Sequence, residues 1–313
     1  MTIAFLFPGQ GSQAVGMGQA LAAAYPAAAS VWRTADEALG FPLSRLCFEG
    51  PEADLTLTAN TQPAVLTASV AAAAVLAERG VTPGLTAGHS LGEYSALVVA
   101  GALSFASAVR LVRRRGEFMQ EAVPVGTGAM AALIGVELAT AEEVCAEAAQ
   151  GEVVGVANIN SPGQIVIAGN RGAVERAVRA AAERGGKKSV MLPVSAPFHS
   201  ALMKPAADRL AAELEGVAVA APRIPVVRNV DAGLSTSADD VKPYLVRQVA
   251  SPVRWTDCVA RLAREGATTY VEVGPGRVLS GLLRRTLEGA RGHAVEDPGS
   301  LDKTLAALQA ETA

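Results

Sequence analysis

Two kinds of apolar run alternate along this chain. Some are short and close on glycine or proline. Others are longer, Ala-rich and spaced as one face of a helix. Ile3–Phe7 is the first short run, and Pro8-Gly9 closes it, so it reads as a buried strand entering a turn. Ala14 to Leu39 has helical spacing broken at Pro26. Thr61-Gln62-Pro63 opens a helix reaching Gly80, with Pro63 in a first-turn position, where its missing N–H does no harm. Val81 to Ala87 is short and apolar and leads into Gly88-His89-Ser90-Leu91-Gly92. Helix-forming residues follow from Glu93 to Val99, and Ser104 is a fitting N-cap for a helix ending near Ala122.

The pattern changes at Pro124-Val125-Gly126-Thr127-Gly128. Strand candidates at Ala129–Val136, Val153–Ile159, Gln164–Ala168 and Ser189–Val194 flank helix candidates at Thr140–Gln150 and Gly172–Arg184. This βαββαβ order is that of a ferredoxin-like unit. Gly-rich joints bound it, so 126–194 is expected to be a small domain inserted into a larger one made of 1–125 and 195–313. Beyond it, helices are expected at Ala201–Leu214, Asp239–Ala250, Trp255–Glu265 and Val278–Leu287. Strands are expected at Ile224–Asn229 and Thr269–Val273, and a loop over Gly289–Ser300. Strands alternating with helices predict an α/β fold with a parallel sheet covered on both faces.

Composition narrows the function. The hydrophobic fraction is 50%, but 63 of the 313 residues are alanine, so much of it is helix-forming methyl groups. A net charge of -3 leaves no global electrostatic footprint for nucleic acid. The longest strongly apolar run, Ala64–Ala77, is shorter than the roughly 20 residues of a bilayer span, so a buried helix and no membrane are expected. The start, MTIAFLFPGQ, carries neither a basic region nor a cleavage pattern, which makes a cytoplasmic location the expectation. Cys47, Cys145 and Cys258 lie far apart without a CxxC pair, and the chain has three histidines but no HExxH. Reduced thiols and no metal site are expected.

The sharpest chemical signal is the GxSxG at Gly88–Gly92. A serine on a tight strand-to-helix turn has an exposed hydroxyl, and the free amides of the next helix favour a developing oxyanion. The serine needs a base, and three histidines are candidates. His89 adjoins Ser90 and reads as a packed or hydrogen-bonded residue of the turn. His293 lies in a Gly-rich tail and reads as a solvated loop residue. His199 lies where a loop returns from the small unit, and is the candidate left standing. No acid stands out as a third member.

Several motifs occur together in order: Phe7-Pro8-Gly9-Gln10-Gly11-Ser12-Gln13, Gly88-His89-Ser90-Leu91-Gly92-Glu93-Tyr94, Pro197-Phe198-His199, Gln248, and Glu272-Val273-Gly274-Pro275-Gly276. With them, the chain from Phe7 to about Leu283 resembles the malonyl-CoA:acyl carrier protein transacylases of fatty acid synthesis, relatives of the acyltransferase domains of polyketide synthases. The resemblance implies an α/β-hydrolase-like large domain, a ferredoxin-like small domain and a gorge between them. It implies that Ser90 is the nucleophile, His199 the base, Gln248 the residue whose carbonyl orients the histidine, and Gln10 and Leu91 the amide donors to the oxyanion. The substrate is then malonyl-CoA, the acceptor a holo-acyl carrier protein, and no metal or redox cofactor is required.

Arg113-Arg114-Arg115 lies on a helix, where consecutive side chains point about 100° apart. Arg113 and Arg114 read as a solvated face. Arg115, followed by Gly116, matches the family arginine that grips the free carboxylate of malonate, a task suited to a planar guanidinium. Phe198 resembles the malonyl-type rather than the methylmalonyl-type motif and leaves a polyketide role open. Rival readings are a serine esterase or thioesterase, a dinucleotide enzyme from Gly9–Ala14 with Asp36 and Glu37, and a non-catalytic carrier-protein docking module, against which the intact Ser90 and His199 pair speaks. Asn158, Asn160 and Ser161 fit either a gorge wall or a turn. Lys187, Lys188, Arg284 and Arg285 are candidate carrier-docking charges.

Overall fold

In a computed structural model, which describes residues 1–194 and 196–312, helices pack against two separate sheets. The chain begins β1 (Ile3–Phe7), α1 (Gln19–Ala24), α2 (Pro26–Leu39), α3 (Leu43–Glu49), α4 (Glu52–Thr56), α5 (Thr58–Glu78), β2 (Leu85–Gly88), α6 (Gly92–Val99) and α7 (Phe105–Glu121). It continues with β3 (Gly128–Ile134), α8 (Leu138–Ala149), β4 (Val154–Ser161), β5 (Gln164–Asn170), α9 (Arg171–Glu183) and β6 (Lys188–Met191). After a 3-10 turn at Ala201–Met203 come α10 (Lys204–Glu215), β7 (Val226–Val227), β8 (Leu234–Ser235), α11 (Ala238–Val249), α12 (Trp255–Arg264), β9 (Thr269–Val273), α13 (Val278–Thr286), β10 (Arg291–Val295) and α14 (Pro298–Thr312).

The six-stranded sheet has the order β10-β9-β1-β2-β7-β8. Its first five strands are parallel, and β2 and β9 are buried along their whole length, as strands covered on both faces must be. The expected all-parallel sheet needs one correction: β8 pairs antiparallel with β7. A turn this short cannot return the chain for a parallel pairing.

The second sheet is antiparallel, in the order β4-β5-β3-β6. Its side chains alternate between two environments, as the strand period of two requires. Ala131, Leu133, Ile165 and Ile167 pack under α8 and α9, whereas Met130, Val166 and Ala168 join the core of the larger sheet. Beyond the two chain crossings, a third tie holds this unit. Ile159 N–H donates to the Val253 carbonyl at 2.9 Å, and Val253 N–H donates to the Ala157 carbonyl at 2.9 Å. The expected boundary at residue 195 falls outside the described residues.

Two expected elements differ. The stretch Gly289–Ser300 is not a loop; it contains β10 and the start of α14. β10 is an edge strand with an exposed start, so pairing to β9, rather than an apolar run, defines it. Helix α5 begins at Thr58, earlier than expected, which puts Pro63 inside it. Pro63 cannot donate to the Ala59 carbonyl; that carbonyl instead accepts from Arg113 Nη1 at 3.2 Å. Among the described residues α5 is the one helix long and apolar enough to cross a membrane, but 83% of its apolar window is buried inside the protein.

Candidate active site

The serine turn is built by steric exclusion. A Cβ at Gly88 would overlap the Gly92 backbone, and one at Gly92 would overlap the Phe7 carbonyl, so β2 and α6 meet this closely only through glycines. Ser90, at the apex, has φ 52. Its amide donates to Asn229 Oδ1 at 2.7 Å, and Asn229 Nδ2 donates to the Gly88 carbonyl at 2.7 Å. The Asn229 side chain therefore clamps both sides of the apex.

His199 reaches the turn from the segment after the small sheet. It is buried, with φ 58, and its Nε2 lies 2.7 Å from Ser90 Oγ. Its Nδ1 lies 3.0 Å from the Gln248 carbonyl oxygen. A carbonyl only accepts, so Nδ1 carries the hydrogen and Nε2 presents its lone pair to the serine. Burial, and then the nearby Arg115 charge, press the imidazole pKa down to about 3, against the weaker pull of the Gln248 carbonyl. The ring is thus neutral and able to accept a proton at neutral pH.

The other two histidines are engaged elsewhere. His89 Nε2 lies 2.9 Å from Asn160 Oδ1, and its ring sits 5.5 Å from that of Trp255, a hydrogen-bonded residue of the turn as expected. His293 is not a solvated loop residue: it lies in β10, 3.3 Å from Glu311.

Gln10 and Leu91 follow the carboxyl ends of β1 and β2, which are parallel neighbours, so their backbones emerge at the same edge of the sheet. The approach is close: a Cβ on Gly9 would lie 2.5 Å from the His89 carbonyl oxygen. Neither the Gln10 nor the Leu91 amide has a backbone acceptor among the described residues. Gln10 Nε2 donates to Thr58 Oγ1 at 3.2 Å. The motif Gly9–Ala14 does not open a helix, because α1 starts only at Gln19. Asp36 lies within α2, its carboxylate accepting from Ser44 N and Oγ. The strand–turn–helix context of a dinucleotide fingerprint is absent from these residues.

Arg115 is almost fully buried on α7. Its Nη1 donates to Gln62 Oε1 at 2.7 Å, and its Nη2 donates to Gln248 Oε1 at 3.0 Å and Ser90 Oγ at 3.2 Å. Its guanidinium lies 5.4 Å from the centre of the Tyr94 ring. Arg114 points outward as expected and pairs with Glu117 and Glu213, whereas Arg113 is half-buried: it pairs with Glu117, lies over the Phe41 ring and donates to the Ala59 carbonyl and Asn60 Oδ1 of α5. Gly116 lets α7 approach α5: a Cβ there would sit 2.7 Å from Ala59 Cα.

These groups open onto one cavity of about 420 Å³. Gln10, Ser90, Leu91, Arg115, Phe198 and His199 line it, together with Met130 and Val166 of the small sheet and Leu192 just past β6. Gln248 sits behind this wall, fully buried. Asn158 and Asn160 line the cavity; Ser161 is buried outside its lining. Of the four candidate docking cations, Arg285 reaches the cavity rim, donating to Gln164 Oε1 at 2.8 Å. Arg284 lines a separate cleft with His293 and Lys303. Lys187 packs over Gly135, and Lys188 is exposed at the start of β6.

Sequence reasoning missed Glu93, Asn229 and Gln62. Glu93 Oε2 accepts from Asn229 N–H at 3.0 Å and Gln248 Nε2 at 2.8 Å. Burial raises its pKa to about 7, while Gln248, Asn229, Arg115 and Arg228 oppose the rise. A single carboxylate inside the apolar stretch after the serine turn was the signal available for Glu93. For Asn229 it was a polar residue at the carboxyl end of a strand, where open α/β sheets bind ligands.

The sequence pattern of acyl transferase domains matches residues 4–309. The chain belongs to this family. Among curated members, the malonyl CoA-acyl carrier protein transacylase of Escherichia coli (strain K12) is 52% identical over 303 residues, covering 96% of this chain and 98% of that one. The enzyme of the same name from Bacillus subtilis (strain 168) is 49% identical over 310 residues, 99% of this chain and 98% of that one. A crystal structure of an acyl carrier protein S-malonyltransferase from Vibrio cholerae superposes with a TM-score of 0.95 at 50% identity, covering 97% of this chain and 100% of that chain. A malonyl-transacylase solved in complex with its type II PKS acyl-carrier protein also gives 0.95, at 49% identity, covering 98% and 99%. The acyltransferase fold is thus a mixed α/β one with a parallel-containing sheet.

Proposed function

We propose that this acyltransferase moves a malonyl group from malonyl-CoA, through an ester on Ser90, to the phosphopantetheine thiol of an acyl carrier protein. The observation that carries the mechanism is the line Ser90 Oγ–His199–Gln248 carbonyl, at 2.7 and 3.0 Å. His199 Nε2 takes the Ser90 proton as Oγ attacks the thioester carbon. The Gln10 and Leu91 amides hold the oxyanion, CoA leaves as its thiol, and the carrier thiol then attacks the malonyl-serine ester by the reverse path. Arg115 holds the malonyl carboxylate, and Phe198 crowds the α-carbon. No metal or redox group enters these steps. A polyketide carrier is an equally suitable acceptor, since a relative was solved with one.

The strand order β4-β5-β3-β6, with two helices on one face, supports reading 126–194 as a ferredoxin-like insertion. The serine at the end of β2 supports reading the remainder as α/β-hydrolase-like. The cytoplasm is the proposed location. Arg285, which bonds Gln164 at the cavity rim, is proposed to meet an acidic carrier; Arg284 faces a separate cleft, and Lys187 and Lys188 are proposed as further docking charges.

Incubation with radiolabelled malonyl-CoA, denaturation and peptide mapping tests the reading. Label on Ser90 that passes to holo-carrier protein supports transfer; rapid loss to water without transfer makes the protein an esterase or thioesterase instead.

A further inference from the structure

Arg115 is buried, yet its guanidinium hydrogen bonds end on uncharged oxygens: Gln62 Oε1, Gln248 Oε1 and Ser90 Oγ. A buried cation without a counter-charge is costly. The bond to Gln248 leads to one. The Gln248 side chain receives the guanidinium on Oε1 at 3.0 Å and, from Nε2, donates to Glu93 Oε2 at 2.8 Å. An amide between a cation and a carboxylate is polarised by both. The same glutamine holds His199 through its backbone carbonyl. A direct Arg–Glu pair would occupy the guanidinium edge that an incoming carboxylate needs.

We propose that Glu93 is the counter-charge of Arg115, delivered through the Gln248 side-chain amide so that the guanidinium is held by neutral oxygens and not by a carboxylate, and that capture of an acyl carboxylate by Arg115 is balanced by a proton taken from solvent onto Glu93. This rests on Arg115 being the carboxylate-binding residue. Four charged or titratable groups act on Glu93. Arg115 comes from α7, Arg228 from the end of β7, Cys258 from α12 and Tyr94 from its own helix. The two arginines favour the carboxylate, and burial favours the acid. Once a malonyl carboxylate neutralises Arg115, one negative charge is in excess, and the protonated form of Glu93 gains. The linkage is reciprocal: malonyl raises the proton affinity of Glu93 by the same factor that the proton raises malonyl affinity. An acetyl group brings no charge and leaves the balance as it was. Glu93 is a positioning residue in this account; it touches neither substrate nor the reacting atoms.

The wild-type enzyme provides the test. Ser90 is loaded with malonyl-CoA or acetyl-CoA at pH 7.5 in weakly buffered indicator dye, and intact-mass spectrometry counts the acyl groups attached. Thioester plus serine hydroxyl gives ester plus thiol with no net proton, and any ionisation of released CoA is shared by both substrates. Malonyl loading is expected to take up more protons per acyl group than acetyl loading, and Glu93→Gln is expected to erase the difference. The malonyl-to-acetyl ratio of kcat/KM is expected to fall about threefold to tenfold from pH 6.5 to 8.5. It should be flat in Glu93→Gln and sloped again in Glu93→Asp. Equal proton uptake for the two acyl groups at full loading overturns the proposal, even if the variants do not fold. Failure of Ser90 to load at all overturns the acyltransferase reading instead.

Discussion

Ser90 Oγ and His199 Nε2 meet at 2.7 Å from two left-handed backbone positions, φ 52 and φ 58. Left-handed conformations in residues with a Cβ cost roughly 1–2 kcal/mol each. Asn229 on one side and the Gln248 carbonyl on the other hold them in place. Ser90→Ala and His199→Ala are each expected to lower malonyl transfer by at least about 10⁴-fold, with little further loss in the double variant, because residues acting as one unit are not additive. A transfer assay with holo-carrier protein measures all three.

Among the buried titratable groups, His199 and Glu93 pull acid stability in opposite directions. His199 is depressed to about 3, so the unfolded chain binds a proton first, near pH 6.5. Its contribution is intact above about 6.5 and is lost as pH falls toward 3. Glu93 is raised to about 7, so its unfolded form ionises first, near 4.5, and stability is lost as pH climbs from about 4.5 to 7. Glu93→Gln is therefore expected to melt higher than wild type at pH 8 and to lose that advantage at pH 4. Thermal melts at the two pH values decide it.

Arg115→Ala is expected to lower the malonyl-to-acetyl loading ratio about 10- to 100-fold, the scale of one charge-assisted hydrogen bond. Arg115→Lys should recover only part, since an ammonium lacks the planar fork. Single-turnover loading reads the ratio; an unchanged ratio removes Arg115 from the carboxylate site.

Gly116→Ala would force α7 away from α5, because its Cβ meets Ala59 Cα and the Thr58 carbonyl. Overpacking of this kind costs about 1–3 kcal/mol. Both Tm and malonyl preference should fall, with acetyl loading less affected, because the displaced helix carries Arg115.

Phe198→Ala enlarges the cavity beside His199. The variant is expected to gain methylmalonyl loading relative to malonyl loading. Competition between the two CoA esters, read by intact mass, checks it.

What the sequence revealed and what it hid divide by range along the chain. The serine turn was legible because its glycines, strand and helix are contiguous. The order of elements in 126–194 was legible from local periodicity. Gln248 lies 158 positions from Ser90 and was reached only through family resemblance. Asn229 matters because β7 pairs with β2, a long-range fact that no local pattern encodes. β10 was hidden because an edge strand needs little apolar sequence, and the start of α5 because Pro63 resembles a first-turn residue while lying deeper in the helix.

The bridge between β4 and Val253 changes how an acceptor can arrive. The chain crossings near 126 and 194 run side by side, because β3 and β6 are antiparallel neighbours, and the paired bonds at Ala157, Ile159 and Val253 tie the small unit a second time, on β4. A body hinged at one pair of crossings and tied again on another strand is held against swinging about that hinge. With that swing opposed, whatever reacts with Ser90 has to enter the cavity of about 420 Å³ that Ser90 lines, rather than wait for the small unit to move aside.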